Sequence, residues 1–260
     1  MTPPCAHIDS AHVVVPAGER PELLTPASVL PPLRCASVLK PLLMWAAAAM
    51  APFDTDPTLW AGLAEPAVTL SENDPTVAVW TACGSGTLLG AVAELTGITW
   101  QLRPGSTGFG GVLIRADQVA LAYGSMVAAA DTDPVASRLL GWMRAVPDVQ
   151  TFGTRTAAAG ALGVDASQVG VKCGWFCDSD ETVMRTHAVT VTATPGGVTH
   201  VSAVLTAIGV AEPAQLAYTA AYDGGREVLG MHQRVAGRRL TDATRAALTS
   251  CHRSDAGRCL

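Results

Sequence analysis

Ser37-Val38-Leu39-Lys40-Pro41-Leu42-Leu43-Met44-Trp45-Ala46-Ala47-Ala48-Ala49-Met50 carries a serine and a lysine, three residues apart, into a run with no polar face. Leu, Met, Trp and Ala are good or tolerable helix formers, and a helix apolar all round belongs in a core. Pro41 falls in the first turn, where a missing N–H costs least, but it restrains Lys40 and distorts the helix start. Residues three apart share a helical face, so the Lys40 amine lies beside the Ser37 hydroxyl. First-turn N–H groups and the helix dipole favour negative charge there. A desolvated lysine near a second cation can be neutral at working pH and take the serine's proton.

Lysine is scarce outside this stretch. Fifteen of the 17 basic residues are arginine, and the only lysines are Lys40 and Lys172. Lysine loses its proton readily on burial whereas guanidinium does not, so the two positions are candidates for proton chemistry. Lys172-Cys173-Gly174 ends a β-branched run, with Trp175 next, and Ser71-Glu72-Asn73 falls on a turn. Each triplet alone is a weak signal. Together, on helix start, turn and strand end, they account for both lysines.

Around these motifs the chain divides by period. His12–Val15 reads as a strand, followed by proline-rich connections. From Asp54 to Gly170 the pattern is mostly helical: Thr58–Leu63, Val77–Cys83, Ser85–Thr96, Asp117–Ala129 and Asp133–Val146, the last two each opened by an aspartate able to cap. Gln101–Gly111 is a glycine-rich loop. Val169–Cys173, Met184–Thr194 and Val198–Gly209 alternate as strands, with Pro195-Gly196-Gly197 as the hairpin. Pro213–Tyr222 and Thr241–Cys251 read as helices. A leading strand beside three late ones, with helices between, predicts an α/β (α+β) fold: an antiparallel sheet domain flanked by helices, with an inserted all-helical lobe. The sheet lobe is residues 1–34 plus 170–222 and the helical lobe 35–169, with 223–260 a C-terminal extension. Ligand sites favour the cleft between such lobes.

Composition excludes several classes. The 260 residues are 49% hydrophobic and 15% charged, so a sizeable core is expected and disorder is not. A net charge of −5 without basic runs argues against nucleic acid and anionic membrane as partners. The apolar run Pro41–Pro52 is too short to span a bilayer. No signal peptide is visible, and seven cysteines, an odd number, fit reduced thiols, so a cytoplasmic location is expected unless the true start lies upstream. Cys173 and Cys177 lack a second Cys/His pair at finger-like spacing, so no metal is expected. Gly105–Gly111 lacks the lysine of a phosphate loop, and no Gly-x-Ser-x-Gly elbow supports a Ser-His-Asp triad. His187 and His200 read as satisfied strand residues.

In its three motifs the chain resembles the serine β-lactamases and penicillin-binding proteins, specifically the class A-like branch, whose signatures are Ser-x-x-Lys, Ser-Asp-Asn and Lys-Thr-Gly. The resemblance covers residues 12 to 222. It extends to Leu140-Gly141-Trp142-Met143, Phe152-Gly153, Thr186-His187-Ala188-Val189 and Val204-Leu205-Thr206. It implies Ser37 as the acylated nucleophile, Lys40 as its base, Ser71 as proton relay to the leaving nitrogen, and Lys172 as support for that relay. Asn73 would hold the substrate's amide side chain. Gly174 and Trp175 would border the substrate, with the Ser37 and Trp175 N–H groups as oxyanion hole. Cys173 takes the place of the family's threonine at the substrate carboxylate, and Arg185 is a further candidate anchor for it.

Glu72 replaces the family's aspartate, and Gln101–Ile114, where the class A omega loop should fall, contains no acidic residue. That loop's glutamate positions the water that frees the acyl-enzyme. The expectation is therefore a serine hydrolase acting on an amide, lactam or ester, with easy acylation, slow or unusual deacylation and no cofactor. The alternatives are an acyltransferase using the same acyl-enzyme, or a catalytically silent member of the fold that binds a peptide-like ligand.

Overall fold

The computed structural model describes residues 6–177, 183–209, 237–246 and 248–249. Strand β1 (Ala6–Pro16) pairs antiparallel with β8 (Val198–Gly209) along its whole length, from Ala6 opposite Ile208 to Pro16 opposite Val198. Sequence pattern marked only the branched core of β1, His12–Val15. The flanking His7, Asp9 and Ser10 have little β preference of their own, and the ladder offered by β8 extends the strand through them.

With β2 (Glu22–Leu23), β6 (Val169–Cys177) and β7 (Val183–Ala193), these form a five-stranded sheet in the order β2-β1-β8-β7-β6. The first and last segments of the chain therefore share one sheet, as the period change at Gly170 anticipates. A second, small sheet joins β3 (Leu33–Arg34), β5 (Val112–Ile114) and β4 (Gln101–Leu102). It ties the segment just before Ser37 to the segment after the glycine-rich loop.

Strand alternation gives the main sheet two different faces. On β6, Val169, Val171 and Cys173 face a small core with Ala158 and Ala159 of α7 (Thr154–Leu162) and with Leu240 and Leu248 of α8 (residues 237–246, helical again at 248–249). Gly170, Lys172 and Gly174 face the other way, against Met143, the end of α2 (Pro57–Thr69) and Ser37 respectively. That inner face carries the large core. There α5 (Ala116–Ala129) packs on β1 and β8, and α6 (Pro134–Arg144) packs on β6.

The remaining helices are α1 (Lys40–Ala47), α2 (Pro57–Thr69), α3 (Asn73–Cys83) and α4 (Ser85–Thr96). Every residue of α1 is buried, as its sequence requires. A 3₁₀ turn over Ala36–Leu39 precedes it, with Pro41 in the first α turn, which is the distorted start that Pro41 imposes. Helix α2 runs past its expected end at Leu63 and through Pro66. That proline loses one backbone hydrogen bond near the helix end, and burial of Ala64, Ala67 and Val68 offsets it.

Two caps differ in their origin. Asp133 caps α6 as expected, accepting from the Val135 and Ala136 N–H groups. Asp117 lies inside the first turn of α5 rather than at its N-cap, where it accepts from Gln118 N at 2.9 Å and from Ser28 N, while the buried Asp9 of β1 reaches across and accepts from Ala116 N at 2.9 Å. The expected helix Pro213–Tyr222 lies outside the described residues. Among the described residues no single helix is long and apolar enough to cross a membrane.

Candidate active site

Ser37 is half-buried in the 3₁₀ turn, between Ala36, whose φ is +47°, and the buried Val38. Alanine rarely adopts that conformation, so tertiary contacts hold the backbone in place ahead of the serine. One of those contacts is with Gly174. A Cβ at position 174 would overlap the Ser37 amide nitrogen and stand 2.9 Å from that of Val38. Only glycine lets β6 come this close, which sets the strand backbone beside Trp175 against the Ser37 N–H.

Lys40 ends on the turn that carries the second motif, and Lys172 ends on the last turn of the helix before it. Lys40 Nζ donates to Ser71 O at 2.6 Å, Glu72 O at 2.7 Å and Asn73 Oδ1 at 2.9 Å. Lys172 Nζ donates to Val68 O at 3.0 Å and Ala67 O at 3.2 Å, holding carbonyls that the end of α2 leaves free. Lys40 thus holds Ser71 by its carbonyl, and Lys172 holds the helix that precedes it.

Ser71 itself has φ +61°, and its Oγ is buried without a hydrogen-bond partner among the described residues. A strained backbone and a buried, unpaired hydroxyl are each costly for stability.

Burial dominates the electrostatics. It pulls Lys40 from 10.5 to about 8, against smaller opposing effects of Cys35 and the Glu72 carboxylate. Burial also takes Lys172 well below the usual ammonium range, and the charge on Lys40 lowers it further. The charge on Lys40 thus makes Lys172 easier to deprotonate. In this geometry all three Lys40 N–H donors are spent on residues 71–73, and none is directed at Ser37. These contacts join Lys40 to Ser71, Glu72 and Asn73, Lys172 to the end of α2, and Gly174 to the Ser37 amide, and none of them reaches the Ser37 hydroxyl.

Cys173 takes no part in these contacts. Lying between the inward Lys172 and Gly174, it points to the opposite face, 2% exposed, with Sγ 3.5 Å from Thr151 O and 3.9 Å from Thr154 Oγ1. Burial pushes its thiol up to about 12. Its assignment to the substrate is corrected: strand alternation makes it a core residue.

Trp175 is half-buried and meets Phe152 edge-on, with ring centroids 5.2 Å apart. Arg185 sits opposite Phe176 in register, its guanidinium 5.1 Å from that ring's centroid, with Arg34 at 4.8 Å from the same centroid.

Three further contributors lie outside the three motifs. His187 donates from Nε2 to Arg34 O at 2.8 Å and accepts at Nδ1 from Thr206 N at 3.2 Å, so it is a neutral strut between β7 and the segment before Ser37. Phe109, in the glycine-rich loop, sets its ring centroid 5.5 Å from Lys40 Nζ. Phe152, at φ +51°, is held by Thr241 of α8, which donates to its carbonyl at 2.6 Å. The one available signal for Phe109 was a lone large apolar residue among glycines. Among the described residues no cluster of three or more His, Cys, Asp or Glu side chains is arranged to hold a metal.

No protein-family model and no curated protein matches the chain. Solved structures do. The extended-spectrum β-lactamase TLA-3 superposes with a TM-score of 0.61 at 10% identity, over 93% of each chain. A class A β-lactamase from Bacteroides cellulosilyticus gives 0.58 at 13% identity, over 96% of this chain and 94% of its own. A halotolerant bacterial β-lactamase gives 0.61 at 12% identity, over 94% and 95%. The chain therefore has the fold of the class A β-lactamases, and at these identities the fold is what is shared. The match reaches beyond residues 12–222, in keeping with the packing of α8 on the sheet.

Proposed function

We propose that this protein is a serine hydrolase of the β-lactamase type, in which Ser37 Oγ takes the acyl group of an amide, lactam or ester. The observation that supports the reading is the burial of the chain's only two lysines at neighbouring points, Lys40 on the Ser71–Asn73 turn and Lys172 on the end of α2 just before it, with Gly174 of the Lys172 strand packed on the Ser37 amide.

Lys40 is the base. Near neutral pH a fraction of it is the free amine, since burial brings its pKa to about 8. To accept the serine's proton it gives up one of its three present bonds. Ser71 Oγ, buried and unspent, passes the proton to the leaving nitrogen, and Lys172 supplies the field that makes this transfer favourable. Asn73 spends Oδ1 on Lys40 and keeps its amide N–H groups for a substrate carbonyl. The Ser37 and Trp175 N–H groups receive the developing oxyanion, each donor contributing about 3 kcal/mol. Arg185 anchors a substrate carboxylate in place of Cys173.

The test is covalent labelling. A fluorescent penicillin or an acyl-phosphonate probe is expected to add to the wild type and not to Ser37→Ala, read by intact-protein mass spectrometry. Equal labelling of both removes the assignment. The absence of any mass shift across a panel of lactams and esters, with ligand binding retained in Ser37→Ala, supports a silent binding domain instead. The full set of acceptors around Lys40 is what favours that second reading.

A further inference from the structure

Resting on the acyl-enzyme reading above, we propose that Phe109 selects the nucleophile that ends the reaction: its ring occupies the space beside Lys40 where water would be activated, so Ser37 hands its acyl group to an amine acceptor.

The ring is placed by a built loop. Arg103 N donates to Gly111 O at 2.8 Å and Gly111 N to Gly108 O at 2.9 Å, closing the loop on itself. The Trp80 indole donates to Thr107 O at 2.9 Å and meets Phe109 edge-on, with centroids 6.5 Å apart. From the segment leading into Ser37, Arg34 Nε donates to Gly110 O and Cys35 Sγ to Phe109 O, each at 3.2 Å. The segment leading into Ser37 therefore holds the backbone of the loop that sets this ring 5.5 Å from the Lys40 ammonium.

A phenyl face cannot accept a proton, and at this distance it favours the cation. Water is a weak nucleophile whose attack on an ester needs a base, an effect of about 10²–10⁴ in rate. A neutral amine attacks through its own lone pair and sheds its proton afterwards. In the discharge step the amine nitrogen bonds to the acyl carbon, the ester C–O bond to Ser37 breaks, and the proton leaving nitrogen returns to Ser37 Oγ. The products are an amide and free enzyme. Glu72 is the carboxylate whose charge acts on Lys40, and its side chain is exposed.

The test follows decay of a preformed acyl adduct by intact mass in buffer alone and with added glycinamide. The wild-type adduct is expected to persist in buffer and to decay at least about tenfold faster with the amine, and Phe109→Glu to gain at least about tenfold in buffer alone by supplying the missing base. Phe109→Leu, which keeps apolar bulk if the charged variant fails to fold, is expected to keep slow decay in buffer. Wild-type decay indifferent to amine, unchanged buffer decay in a folded Phe109→Glu, or loss of buffer decay in Glu72→Gln each overturns the inference while leaving acylation intact. Failure of any adduct to form on the wild type overturns the acyl-enzyme reading, and this inference with it.

Discussion

Gly174 and Ser37 are packed backbone to backbone, with no room for a single methyl group between the strand and the serine's amide. The contact fixes where an oxyanion would sit relative to the hydroxyl that attacks, so it should govern rate more than stability. Gly174→Ala is expected to lower the acylation rate about 10²–10³-fold, the usual cost of misplacing one oxyanion donor. Overpacking should cost about 1–3 kcal/mol in a denaturant melt. A folded Gly174→Ala with wild-type acylation would show that the close approach serves packing alone.

Lys40 makes acylation depend on pH. The amine must be neutral to take the serine's proton, so acylation should climb as pH rises and level off beyond about 8. Lys40→Arg, which cannot give up its proton, should lose this rise and at least about 10² in rate. Stability has its own sign. On unfolding Lys40 returns from about 8 to 10.5, so above pH 8 the unfolded chain binds more protons and stability increases with pH. Lys172, lowered as well, adds to this rise. Unfolded Cys35 and Cys173 oppose it from pH 9, since burial keeps the native thiols protonated up to about 12. The trend should reverse beyond 10.5, where the unfolded lysines have lost their protons. Urea melts across this window check both slopes, and Lys40→Met should flatten the first.

Much of this was legible in the chain because local and tertiary signals agree. Helix α4 runs over Ser85–Thr96 as its pattern predicts, and β8 over Val198–Gly209. The lysines were found by scarcity and placed by motif. What escaped was set by tertiary contact. Helix α7 opens after a glycine at φ +77° and buries Thr154 and Arg155, so its apolar period is weak. Cys173 was legible in principle, because period-two alternation from an inward Lys172 turns it outward, but the motif overrode the period. The strain at Ala36 and Ser71 leaves no mark at residues that are neither glycine nor asparagine. Phe109 belongs to no motif, and only the fold brings it to Lys40.

His187 predicts acid sensitivity. Burial brings its pKa from 6.5 to about 4, and both ring nitrogens are engaged as a neutral imidazole. Below 6.5 the unfolded chain takes up a proton that the folded chain refuses. Stability should therefore fall as pH drops from 6.5 and level off below 4, by about 3 kcal/mol in all. His187→Gln should be less stable at neutral pH by about 1–3 kcal/mol, through the lost strut to Arg34. Its stability should also vary less between these limits. A variant with the wild-type acid slope would assign the sensitivity to other groups.

Asp133 does two jobs with one carboxylate, and the two can be separated. Oδ1 accepts from Val135 N at 2.8 Å and Ala136 N at 3.3 Å, capping α6, while Oδ2 accepts from the Trp45 indole at 2.6 Å. The second bond anchors α1, the helix that continues from Ser37 and Lys40, to the start of α6. Asp133→Ala should lose a cap of about 0.5–2 kcal/mol and also leave a nearly buried indole N–H unpaired, at about 1–3 kcal/mol more. A side-chain amide has one oxygen to present, to the cap or to the indole, so Asp133→Asn should fall between wild type and alanine. Trp45→Phe removes the donor itself. In that background Asp133→Ala should cost only the cap, and the difference between the two backgrounds in a double-mutant cycle measures the indole bond. A coupling energy near zero would mean that α1 is held by apolar packing, with the Asp133 carboxylate serving α6 alone.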